Sequence, residues 1–146
     1  MQYIESPHPY TWINKSLFIA GWISGCPDWQ TEFKSFFKDS ALTLLNPRRE
    51  HYDINNKAAE IEQITWEHEH LEKADIISFW FWKETICPIV LYELGKYITS
   101  NKEIYLWIDP QYQRKSDVEI QMSLIKPDLK VVYSIKNLAM QVLETL

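Results

Sequence analysis

The sequence predicts an α/β fold: one parallel sheet covered by helices on both faces. Three observations lead there. Apolar strand-like runs alternate with amphipathic segments, as strand–helix–strand crossovers require. The run Asp75 to Phe81, DIISFWF, is apolar on both faces, as a central parallel strand must be. The chain has 146 residues, 46% of them hydrophobic and 24% charged, which fits one compact core.

The elements follow in order. The first 14 residues, rich in proline and aromatic side chains, read as an irregular arm, with the domain proper over residues 15–146. Ser16 to Ala20 (SLFIA) is a first strand ending at Gly21. Asp28 to Phe37 carries Trp29, Phe33, Phe36 and Phe37 at helical spacing, with Asp28 suited to the N-cap. Ala41 to Leu45 is a second strand, stopped by Asn46-Pro47. Asn56 to Lys73 is a helix whose expected inner stripe is Ala58, Ile61, Ile64, Thr65, His68 and Leu71. After the strand 75–81, Pro88 opens a helix to Ser100, where a first-turn proline loses no hydrogen bond. Glu103 to Ile108 is a fourth strand, Asp117 to Ile125 a helix, Lys130 to Tyr133 a fifth strand, and Ile135 to Leu146 a closing helix. The expected architecture is a three-layer, flavodoxin-like or Rossmann-like domain with a five-stranded parallel sheet.

Composition excludes several classes. The net charge of −5 argues against a polymeric nucleic-acid binder, which would present a basic face, but leaves a single nucleotide open. The two cysteines, Cys26 and Cys87, have no CxxC spacing and signal neither a zinc site nor a disulfide framework. His68 and His70 are two apart and point to different sides of a helix, so no metal site is expected. The N-terminus lacks a signal-peptide pattern, and no apolar run approaches the ~18 residues of a membrane span. The expectation is a cytoplasmic protein with no membrane partner.

Open parallel sheets bind ligands beyond the carboxyl ends of their strands. That rule nominates residues 21–30, 46–53, 82–88 and 109–117. Gly21 and Gly25 in AGWISGCPDW form neither GxGxxG nor a P-loop, which argues against a dinucleotide dehydrogenase or P-loop NTPase. They either make a tight turn or let the backbone approach a ligand. Trp22, at the mouth of the first strand, could stack on a flat base. Arg48 and Arg49 follow the second strand, where forked guanidinium donors could meet an oxyanion; solvated surface is the alternative. Glu67 flanks the apolar positions Ile64 and Leu71 and stands at the edge of the buried face.

Glu93 is the most informative residue. At helical spacing it shares a stripe with Ile86, Ile89, Val90 and Tyr97. A carboxylate in an apolar stripe is costly unless paired or hydrogen-bonded, and perturbed buried carboxyls cluster at functional sites. The competing reading is an exposed Glu93 paired to Lys96.

Four pieces in order resemble the nucleoside 2-deoxyribosyltransferase superfamily, in its transferase-like branch: LFIAGWISG, NPRR, ITWEHEHLEKADIISFW and IVLYELGKYI. The resemblance implies a flavodoxin-like fold and cleavage or exchange of the N-glycosidic bond of a 2′-deoxynucleoside or its monophosphate. It implies that Glu93, in the ELG motif, is the nucleophile and that Glu67 holds an acidic family position. The family Asp six residues before the nucleophile is replaced here by Cys87, with Glu84 a nearby candidate substitute. Such chemistry resembles retaining glycoside hydrolysis, in which one carboxylate captures the sugar and a second carboxyl protonates the leaving group. Glu67 and Glu84 are the candidates for that second role. Gly21, Trp22, Gly25, Asp28, Arg48, Arg49 and Cys87 are the expected substrate-binding positions. No metal or organic cofactor is expected, and the resemblance implies a homodimer or larger homo-oligomer. The alternative is a nucleotide-binding sensor or scaffold of the same fold without chemistry.

Overall fold

A computed structural model describes residues 1–53 and 55–146. In chain order its elements are β1 (Gln2–Glu5), β2 (Ser16–Gly21), α1 (Trp29–Ser35), β3 (Thr43–Asn46), α2 (Lys57–Lys73), β4 (Ile76–Phe81), α3 (Pro88–Tyr97), β5 (Glu103–Ile108), α4 (Lys115–Ile125), β6 (Val131–Val132) and α5 (Ile135–Leu143). The strands form one sheet in the order β1-β3-β2-β4-β5-β6, and every pair is parallel. From β3 to β6 this is the flavodoxin-like order.

The sheet has six strands rather than five. The additional strand comes from the segment expected to be an irregular arm. Gln2 to Glu5 add to the edge of β3 in register with Thr43 to Asn46. Four residues flanked by prolines and aromatics carry too little periodicity to mark a strand. Their stability comes from the exposed edge of β3, which a sequence does not display.

Side-chain alternation along the strands divides the core in two. Phe18, Ala20, Ile77, Phe79, Phe81, Ile104, Leu106 and Ile108 face α2, α3 and α4. Leu17, Ile19, Ile76, Trp80 and Trp107 face α1 and α5. On that second face Trp80 is the centre of a stack, with ring centroids 4.8 Å from Trp29, 5.2 Å from Trp82 and 5.0 Å from Trp107. Such contacts contribute about 0.5–1.5 kcal/mol each beyond the area they bury.

Helix α2 turns a different face inward from the one its isoleucines imply. Its buried residues are Gln63, Trp66, His70 and Leu71, whereas Ile61 and Ile64 are 58% and 59% exposed. Trp66 supplies the apolar area, and the polar members have partners. Trp66 Nε1 donates to His8 O at 2.8 Å, and His70 Nδ1 lies 2.7 Å from Trp66 O. His70 is thus a packed residue stacked on Trp66, while His68 is exposed.

Gly21, the last residue of β2, is fixed by this packing. A Cβ there would sit 2.5 Å from Trp29 Cζ2 and 3.0 Å from Trp80 Cβ. Gly21→Ala should therefore push the tryptophan stack apart and lower unfolding free energy by roughly 1–3 kcal/mol. Urea denaturation followed by tryptophan fluorescence measures this directly.

Candidate active site

The parallel sheet reverses its winding between β2 and β4, because β3 lies outside β2 while β4 lies on its other side. A cavity of about 310 Å³ opens there, beyond the end of β2 and beneath α2 and α3. This is the switch-point position expected of open α/β sheets, and the volume is at the lower end of small-molecule sites. Its walls come from the end of β2 and the following loop (Gly21, Trp22, Ser24), the loop after β3 (Arg49, Tyr52), α2 (Gln63, Glu67) and α3 (Glu93). Two of the four nominated stretches contribute; residues 82–88 and 109–117 do not.

Glu93 is carried by α3, whose start is set by Pro88 in its first turn. Its buried neighbours on the helix are Val90, Leu94 and Tyr97, while Ile86 and Ile89 are 51% and 57% exposed. Glu93 itself is only 9% exposed and makes no hydrogen bond to any described residue. Lys96, its proposed partner, turns away and bonds Glu72 at 2.5 Å and the Tyr97 hydroxyl at 2.9 Å. Burial, then the neighbouring Glu67 carboxylate, pushes Glu93 up to about 8, against a smaller opposing pull from Lys96.

Glu67 stands one turn beyond Gln63 on α2. Burial raises its pKa as well, and a hydrogen bond from Gln63 Nε2 at 2.6 Å opposes that rise. The cavity therefore holds two carboxyl groups that disfavour simultaneous ionisation. Each raises the cost of ionising the other, and the two titrate as a coupled pair.

The remaining expected positions separate into two groups. Gly21, Trp22 and Arg49 line the cavity beside Glu67 and Glu93. Trp22 is steadied by its Nε1, which donates to Ser24 O at 2.6 Å. Arg49 bonds Glu62 at 2.8 Å through Nη2, and its buried Nη1 has no partner. Arg48, Asp28, Gly25, Glu84 and Cys87 are not part of the lining. Arg48 Nη2 donates to Ile23 O at 2.8 Å and Cys26 O at 3.2 Å, and its Nη1 lies 3.6 Å from Asp28. It clamps the loop after β2 from behind. Asp28 caps α1 by accepting from Thr31 N, and Gly25 supplies a left-handed turn at φ 67°. Glu84 is exposed, so the cavity assigns it no acid role. Cys87 is wholly buried, in left-handed backbone at φ 51°, and burial raises its thiol to about 11. It stands in the core as an inert thiol.

Ser24 and Tyr52 fall within the nominated stretches 21–30 and 46–53 but were not singled out, and Gln63 was missed. Gln63 carried a signal: it is one turn before Glu67 and one turn plus three residues before His70, so it shares their helix face. The exposed isoleucines masked that face.

Among the described residues no group of three or more His, Cys, Asp or Glu could hold a metal, and no helix is long and apolar enough to cross a membrane.

A parallel α/β domain with a buried and a half-buried carboxyl at its switch point belongs to the class of folds that bind small ligands at strand ends. The chain belongs to the family described as nucleoside 2-deoxyribosyltransferase like, which it matches over residues 14–112. Its fold is similar to that of a conserved protein from Enterococcus faecalis V583, at 14% identity and a TM-score of 0.68, covering 91% of this chain and 99% of that one. No curated protein sequence matches.

Two predictions arise here. A folded protein that keeps the Glu93 proton to about pH 8 binds more protons than the unfolded chain, whose glutamates release theirs near 4.5. Stability must then fall as pH rises through that window. Glu93→Gln removes this dependence. Denaturation curves should show the variant gaining on the wild type by at most about 1.4 kcal/mol per pH unit across the window, with no further gain above it. Equal curves at every pH would place Glu93 in solvent.

The arginines should also part company. Arg48→Ala leaves loop carbonyls without donors and should cost roughly 1–3 kcal/mol of stability. Arg49→Ala should cost less, by urea denaturation, because its one hydrogen bond is to the exposed Glu62.

Proposed function

We propose that this protein cleaves or exchanges the N-glycosidic bond of a 2′-deoxynucleoside or deoxynucleoside monophosphate, with Glu93 as nucleophile and Glu67 as acid and base. The observation that carries the reading is the pair of carboxyls lining one cavity, Glu93 buried and Glu67 half-buried, with Glu93 pushed up to about 8. Family membership supplies the bond class.

The steps balance around a single shared proton. With that proton on Glu67, the Glu93 carboxylate attacks C1′ of the sugar. The C1′–N bond breaks, its electron pair leaves on the base, and the base takes the Glu67 proton. Glu93 is then a glycosyl ester and Glu67 a carboxylate. Glu67 next removes a proton from water, or from a second base, as that nucleophile attacks C1′. Glu93 leaves as a carboxylate and the pair is singly protonated again. A carboxyl whose pKa burial raises above the ordinary range suits both halves of this cycle. In this reading Trp22 covers the base and Arg49 meets a phosphate or sugar oxygen, a reading supported by their place in the cavity wall.

A non-catalytic nucleotide-binding role is the second reading. It is favoured by Cys87, which occupies an expected carboxylate position yet lies in the core.

One experiment separates them. The protein is incubated with a panel of deoxynucleosides and their monophosphates, and free base is measured by chromatography. Release by the wild type and loss of at least about a hundredfold in Glu93→Gln, with binding retained, is the expected result. Binding without release from any member of the panel would favour the sensor.

A further inference from the structure

Gln63 is 9% exposed, and its amide is committed on every side. Its Oε1 accepts from Ser6 Oγ at 2.8 Å. Its Nε2 donates to Pro47 O at 2.7 Å and to Glu67 Oε1 at 2.6 Å. A backbone carbonyl only accepts, so Pro47 fixes which end of the amide is nitrogen. Both N–H groups are then used, and the Ser6 hydroxyl secures the oxygen end. Glu67 therefore always meets a donor at Oε1 and never an acceptor.

That geometry has a chemical consequence. A carboxylic acid keeps one carbonyl-type oxygen and carries its proton on the other. With Oε1 held as acceptor, the proton must sit on Oε2. Ser6 belongs to the N-terminal segment just beyond β1, which is further tied to α2 by Trp66 Nε1 on His8 O. The segment is thus linked by two hydrogen bonds to the acid in the cavity.

We propose that Gln63 is a positioning residue: oriented by Ser6 and Pro47, it holds Glu67 Oε1 as an acceptor, so that Glu67 exchanges its proton with the departing base through Oε2. This rests on the reading of Glu67 as the acid. The other charged or titratable groups around the same cavity are Glu93 on α3 and Arg49 and Tyr52 beyond β3. None of them bonds Glu67, so the Gln63 amide is its sole hydrogen-bond donor among the described residues.

The test uses Gln63→Met, which keeps the length of the side chain and removes its donors, and Ser6→Ala, which frees the amide oxygen. Carbonyl-carbon NMR titration of the Glu67 side chain is recorded for each full-length protein, with no ligand. The Glu67 midpoint should rise in Gln63→Met, because burial is no longer opposed, and rise by less in Ser6→Ala. Where base release is measurable, Gln63→Met should lower kcat about tenfold to a hundredfold with little change in KM, and move the alkaline limb of the pH profile upward, because Glu67 must hold its proton to act as the acid. An unmoved midpoint in folded Gln63→Met overturns the proposal. Should that variant not fold, an unmoved midpoint in Ser6→Ala overturns it instead. If the wild type releases no base from any nucleotide while the midpoint still shifts, the amide's hold on Glu67 stands and the glycosidic reading falls.

Discussion

The site depends on one constraint: two carboxyl groups, one buried and one half-buried, line a single cavity in which burial disfavours the charge on each. A lone buried carboxylate would shed its charge, and a pair sheds at least one. Among the described residues the two carboxyls receive one hydrogen-bond donor and no ion pair. Gln63 bonds Glu67, while Lys96, the nearest lysine in sequence to Glu93, is held by Glu72 and Tyr97. Had Lys96 reached inward, Glu93 would be a stable ion-paired carboxylate of low reactivity. The outward turn of Lys96 leaves Glu93 without a paired cation, so burial and the Glu67 charge raise its pKa almost unopposed.

The scaffold serves the same constraint from below. Gly21 ends β2 against Trp29 and Trp80, so the floor of the cavity is backbone pressed onto an aromatic stack. Arg48 draws in the carbonyls of Ile23 and Cys26, which holds the loop carrying Trp22 and Ser24 against the sheet. Two rigid supports, one apolar and one charged, thus fix the cavity's wall before any ligand enters. Preorganisation of this kind lowers the cost of ordering on binding.

Much of this was legible in the sequence, for reasons specific to each residue. DIISFWF announced a central strand because a strand covered on both faces must be apolar on both. Glu93 stood out because a carboxyl among apolar helix positions contradicts its surroundings. Gly21 and Trp22 were placed by the strand-end rule. Other features lay beyond a one-dimensional reading. Arg48 and Arg49 are adjacent, so their opposite fates, clamp and cavity wall, depend on which way the loop turns. The strand Gln2–Glu5 exists only because β3 offers an open edge. Glu84 is close to Cys87 in sequence but exposed on the surface. In α2, hydrophobicity pointed to Ile61 and Ile64, while burial followed Trp66 and the partnered polar side chains Gln63 and His70.

That last inversion explains how a polar chain came to run from the N-terminal segment to the cavity. A helix face built from isoleucines would have packed on the sheet by area alone and presented nothing to Glu67. A face built on Trp66 obtains its apolar area from one large ring, which leaves room beside it for Gln63. The amide survives burial because Ser6, Pro47 and Glu67 satisfy it completely. Ser6 is in place only because β1 pairs with β3, whose last residue, Asn46, accepts from Ser6 N at 3.0 Å through its backbone oxygen. The edge strand, the helix face and the Glu67 carboxyl are therefore joined by one connected set of hydrogen bonds, and the weakest-patterned part of the sequence holds one end of it.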